Sequence, residues 1–426
     1  NIISSISSDE MQEIAAADGT EPINDALSLL ANYAKLSRAE VHILDMVTMR
    51  YFDSAFNIIV EDLRCNPHQV PDFLATAIDC SKGDVVNALS KQSSIVQMQL
   101  IDRLSLSRGE KLDGVLGCNH ALAMMLLREP STYQELVAVF ADPPATAQWK
   151  LADFPHMQKE GHTAVAVLQK AASTAEPGIN ALLYGTPGTG KTEFAYALAA
   201  EAGFQTYRVK TEDDNGEPMD RKGRLAAYMI LQRLLGKHRK TVLIFDEAED
   251  VFGQSGDFLA AMFGNSKMAG QNKGWMNRAL EENAVPAIWI TNNARSMDTA
   301  FLRRFLLPIA FRTPPVQVRR QMVRAHLPAK LVPDALLEQL AADDKLQPAQ
   351  FGLASRLVKL LPGRDAAQTV QHGIAASRRL LHGSGLPRQR QSATVFDIDY
   401  LHVAGGIAPA HIVQALRRTG QGRLCF

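Results

Sequence analysis

The stretch GTPGTGKT, Gly185–Thr192, has the form Gly-x-x-x-x-Gly-Lys-Thr. The apolar run NALLY precedes it at 180–184 and EFAYALAAEA follows at 193–202, so it reads as a loop between a strand and a helix. Glycines let successive backbone N–H groups curl round phosphate oxygens, and the following helix adds the positive end of its dipole. Gly185, Thr186, Pro187, Gly188, Thr189 and Gly190 are the expected cradle. Lys191 is placed to bridge the outer phosphates, and Thr192 to offer its hydroxyl to a magnesium ion.

Working outward, TVLIFDEAED at 241–250 supplies two carboxylates where a strand ends. Asp246 is the expected magnesium ligand and Glu247 the group that orients and deprotonates an attacking water. Further short apolar runs are TYRV at 206–209, PAIWI at 286–290 and LPIAF at 307–311, with helical segments between them. Strands alternating with helices predict a parallel sheet covered on both faces.

The phosphate loop, FDEAED, WITNN and DTAFLRRF occur in the order and spacing of the AAA+ ATPases, which this chain resembles over roughly residues 150–380. The resemblance implies an α/β P-loop NTPase core with a helical lid, using ATP and Mg2+. It implies Asn292 as a sensor of the water and γ-phosphate, and Arg303 and Arg304 as arginine fingers reaching a neighbouring subunit's site in a homo-oligomeric ring. In DFPHM, Phe154 and His156 fall where that family contacts adenine, and Arg356 stands either as a second sensor or as an ordinary exposed arginine. One segment departs from the pattern. Protein-threading members carry an aromatic–hydrophobic–glycine loop after the second strand; here VKTEDDNGEPMDRKGRLAAYM (209–229) is acidic and polar, with Met219 its one large apolar residue before Leu225. The insert QSGDFLAAMFGNSKMAGQNKG (254–274) carries Phe258, Met262 and Phe263 and reads as a partner loop or a plain connection.

The rest of the chain divides around this core. Residues 1–140 read as a helical N-terminal domain, with Ser37 as a helix N-cap and a helix-turn-helix outline over 70–104, its turn at Gly83 and a winged strand at its end. That module holds four acids (Asp72, Asp79, Asp84, Asp102) against three bases (Lys82, Lys91, Arg103), so protein docking is expected over DNA binding. Residues 141–152 form a proline-rich linker, 153–313 the nucleotide-binding domain and 314–383 the lid. Over the whole chain 45 basic residues balance 45 acidic ones, so no global field favours nucleic acid. Apolar runs such as ALAMMLL at 121–127 fall short of the roughly 20 residues a membrane helix needs. Four cysteines without CxxC spacing fit a cytoplasmic protein.

Residues 384–426 read as a linker followed by the start of a second, truncated ATPase module. Phe154 precedes Tyr184 by the same 30 residues by which Phe396 precedes Phe426, and a shift of 242 also sets Gly178 on Gly420 and Leu182 on Leu424. GRLCF is then the expected first strand of that module. Two functional readings remain open at this point. One is an oligomeric ATPase that remodels a protein client; the other is an ATP-switched binding module that presents the N-terminal domain.

Overall fold

A computed structural model of the protein describes residues 25–383 apart from 64–65, 67, 102–111, 113–115, 214–215, 253–275 and 328–331, together with residues 411, 414 and 418. The insert at 254–274 and the GRLCF segment therefore lie outside the described residues, as does nearly all of the proposed second module. The N-terminal region holds α1 (Asp25–Ala34), α2 (Arg38–Phe52), α3 (Ser54–Asp62), α4 (Val70–Ala77), α5 (Lys82–Ala88), α6 (Ser94–Gln97), α7 (His120–Arg128) and α8 (Tyr133–Phe140). The core follows as α9 (Gln158–Thr174), β1 (Asn180–Gly185), α10 (Lys191–Ala202), β2 (Gln205–Arg208), α11 (Arg221–Leu235), β3 (Thr241–Phe245), α12 (Glu249–Phe252), β4 (Ala287–Thr291), α13 (Thr299–Leu302) and β5 (Leu307–Phe311). Four helices follow the sheet: α14 (Val316–His326), α15 (Asp334–Ala342), α16 (Pro348–Leu360) and α17 (Ala366–His382).

The five strands pair in parallel in the order β2-β3-β4-β1-β5. Every residue of β3 and β4 is buried, which is why both read as unbroken apolar runs. Side chains alternate between the faces. Leu183, Ile244, Ile288 and Ile290 face one core with Phe194 of α10 and Leu168 of α9. Leu182, Leu243, Phe245 and Trp289 face the other, with α11. The second core runs without a break into the N-terminal helices, because α11 packs against α1, α7 and α8. Tyr133 Oη donates to the Leu234 carbonyl at 3.0 Å across that contact. After α8, Ala141 forms an antiparallel bridge with Val209, and Asp142 pairs with Arg208 at 2.6 Å. The helical region is thus fastened both to a sheet face and to the end of an edge strand. The lid helices close a third, separate core around Phe351, Leu337, Leu340 and Val370.

Ser37 caps α2 as expected, in a capping box with Glu40. The helix-turn-helix outline needs two corrections. Gly83 lies inside α5, and the turn falls at 78–81, where Asp79 takes a left-handed φ of 47°. The expected winged strand is instead α6. Ile95 and Val96 favour a strand locally, but the buried Glu40 carboxylate accepts from Ser94 N at 2.6 Å and Ile95 N at 3.4 Å and holds a helix start there. Lys82 is also neutralised by Asp72 at 2.8 Å. In the segment after β2, Glu212 bridges Pro218 and Met219 turns into the core at 6% exposure, so the apolar side chain of that loop is not displayed. Among the described residues no helix is long and apolar enough to cross a membrane.

Candidate nucleotide site

Register brings the site together. Tyr184 lies opposite Thr291 and Phe245 opposite Trp289, so the loop after β1, the acid pair after β3 and Asn292 after β4 emerge side by side at the C-terminal edge of the sheet. Gly188 and Gly190 hold φ of 75° and 89°, which suit glycine, and a Cβ on Gly188 would meet Gln347 Oε1 of the lid at 2.1 Å. Lys191 is buried, and its ammonium donates to Gly185 O at 2.9 Å, Thr186 O at 2.8 Å and Asn292 Oδ1 at 2.9 Å. Its three donors all have acceptors. Burial pulls its pKa below the usual lysine value, against the opposing pull of Asp246 and Glu249.

Thr192 Oγ1 donates to Asp246 Oδ2 at 3.0 Å. A hydroxyl and a carboxylate meeting beside a phosphate loop are hard oxygen donors of the kind magnesium takes, so the residues fit that ion. Glu247 is exposed at the cavity wall and holds a φ of 54°, an uncommon left-handed value for a residue with a Cβ. Its N–H donates to Asp246 Oδ1 at 2.9 Å. Asn292 is held by a residue that sequence reading passed over: its N–H donates to Glu249 Oε2 at 3.3 Å and its Nδ2 to Glu249 Oε1 at 3.2 Å. The signal was the third acid of FDEAED.

A cavity of about 690 Å3 opens from Lys191, Thr192, Asp246, Glu247 and Asn292 towards the lid. Phe154 lines it, edge-on to Phe194 with centroids 5.3 Å apart. His156 is not part of that lining; its Nδ1 is buried without a hydrogen-bond partner, and burial lowers its pKa. Trp149 and His326 line the far end with ring centroids 5.1 Å apart. Neither was legible beforehand, since Trp149 sits in the proline-rich stretch read as a linker and His326 belongs to the lid. Arg303 and Arg304 lie outside the cavity lining. Arg303 is exposed, whereas Arg304 pairs with Glu281 at 2.8 Å and donates to the Ala300 carbonyl. Arg356 is exposed and also outside the lining.

The sheet order, the phosphate loop and the neighbouring acids define a P-loop nucleotide-binding protein of α/β class. Residues 181–313 match the model of the ATPase family associated with various cellular activities (AAA). It is 25% identical over 350 residues to the ATP-dependent zinc metalloprotease FtsH of Ureaplasma parvum, covering 77% of this chain and 45% of the relative. It is 27% identical over 206 residues to ATPase family AAA domain-containing protein 3-A of Xenopus laevis, covering 46% and 32%. The chain thus spans less than half the length of either relative. Among solved structures, the FIGL-1 AAA domain in complex with ADP aligns at 19% identity over 55% of this chain and 80% of that one, with a TM-score of 0.38.

Proposed function

We propose that the chain binds ATP with magnesium, hydrolyses it, and works as an oligomer on a protein partner. The reading rests on one juxtaposition: Thr192, Asp246, Lys191 and Asn292 joined by hydrogen bonds of 2.9–3.0 Å at the mouth of a glycine-rich loop. Magnesium, held by Thr192 and Asp246, would neutralise charge on the phosphates. Lys191 exchanges its carbonyl acceptors for phosphate oxygens. Glu247 orients a water and takes its proton, while Asn292, braced by Glu249, polarises the water and the γ-phosphate. Phe154, Trp149 and His326 offer apolar and aromatic faces to the base. Arg303 is the finger for a neighbouring subunit, and Arg304, tied to Glu281, fixes the turn that presents it.

The buried Met219 favours a second reading, in which ATP switches a binding module without threading a client. Steady-state phosphate release tests both. Lys191→Ala is expected to lose nucleotide binding, and Glu247→Gln to keep ATP binding while turnover falls at least 100-fold. Wild-type turnover in Glu247→Gln would remove the hydrolytic assignment. Turnover that no protein substrate stimulates would favour the switch.

A further inference from the structure

Behind the acid pair lies a buried cation that the phosphate chemistry leaves unused. Arg224, on the first turn of α11, is 3% exposed. Its guanidinium carbon lies 4.6 Å from the centroid of the Phe245 ring, and its Nη2 donates to the Asp246 carbonyl. That carbonyl belongs to the peptide unit joining Asp246 to Glu247. The other end of the same unit, the Glu247 N–H, donates to the Asp246 carboxylate at 2.9 Å. The peptide is therefore clamped at both ends, and its plane sets the φ of Glu247 at the left-handed value of 54°. A non-glycine residue keeps such a conformation only where its surroundings over-determine it. Ala248 N, bonded to Ile290 O at 2.8 Å, fixes the next peptide.

We infer that Arg224 is a positioning residue for hydrolysis: it holds the Asp246–Glu247 peptide so that the Glu247 carboxylate faces the γ-phosphate end of the cavity. The inference rests on the ATPase reading above. Arg224 is not itself a lining residue of the cavity and reaches it through the Asp246 carbonyl, so its contribution is expected on turnover more than on nucleotide affinity. The same helix carries the contacts to α1, α7 and α8, and near its far end Tyr133 of α8 donates to the Leu234 carbonyl.

The test uses the full chain with Arg224→Gln and Arg224→Lys. Phosphate release at saturating ATP gives kcat, and a ribose-labelled fluorescent ADP gives affinity; thermal unfolding reports the fold. For Arg224→Gln, kcat is expected to fall tenfold or more with affinity changed less than threefold. Arg224→Lys, which keeps the cation and one donor, is expected to recover part of that loss. If Arg224→Gln does not fold, Arg224→Lys decides alone, with kcat expected about threefold down at unchanged affinity. Wild-type kcat in a folded variant, or parallel losses of kcat and affinity, would overturn the inference. A wild-type chain without turnover would remove the ATPase reading and this one together, whereas an active wild type with unaffected variants removes this one only.

Discussion

Lys191 carries the clearest pH signature of the site. Burial holds its pKa below 10.5 in the unliganded chain, and phosphate oxygens in place of carbonyls would raise it. Binding then takes up a proton only above the lowered value. Nucleotide affinity should be flat with pH below it and fall as pH rises through it, by at most about tenfold per unit. The same shift acts on stability with a fixed sign. Between the lowered value and 10.5 the unfolded chain binds more protons, so this lysine's contribution to stability grows as pH rises. Titrating fluorescent ADP binding from neutral to alkaline pH checks the first point. An affinity that stays level up to 10.5 would remove the expectation that a lowered Lys191 pKa governs phosphate binding.

Among the elements, α11 is shared by two packing units. Leu225, Tyr228, Ile230, Leu231, Leu234 and Leu235 are all buried along it, between the sheet and the N-terminal helices. Uncovering a fully buried leucine or isoleucine costs roughly 1.5–3 kcal/mol, and domain stability is only about 5–15 kcal/mol. A chain that starts at residue 145 would lose α1, α7, α8 and the Ala141–Val209 bridge together. It is expected to be insoluble or to bind a hydrophobic dye, while residues 25–383 stay monodisperse. A soluble, cooperatively melting 145–383 fragment would mean that the helical region is an appendage.

At the scale of the whole molecule, no guanidinium lines the cavity among the described residues, and Arg303 is exposed outside its lining. An arginine finger supplied in trans is worth about 10³–10⁵ in rate where measured. Arg303→Ala chains and Lys191→Ala chains should each be nearly inactive alone. Mixed, they should regain part of the activity, because some neighbouring pairs join an intact phosphate loop to an intact finger. Co-assembled mixtures as inactive as their components would leave Arg303 as surface charge.

The sequence alone determined the parts whose information is local. Strands β1, β3, β4 and β5 are short, mainly apolar runs, and the phosphate loop needs only glycines, a lysine and a threonine within eight positions. Asp246 and Glu247 are adjacent, so their place at a strand end could be read directly. Tertiary structure decided what depends on residues distant in the chain. Asn292 meets Lys191 across 101 positions only because β4 lies beside β1. Segment 94–97 is helical because Glu40, 54 positions earlier, accepts its first N–H groups. Trp149 meets His326 because the lid folds back over the sheet edge, and Arg224 reaches Asp246 because α11 packs beneath β3. In each case the deciding energy is a contact between elements, and no pattern within a short window of residues encodes it.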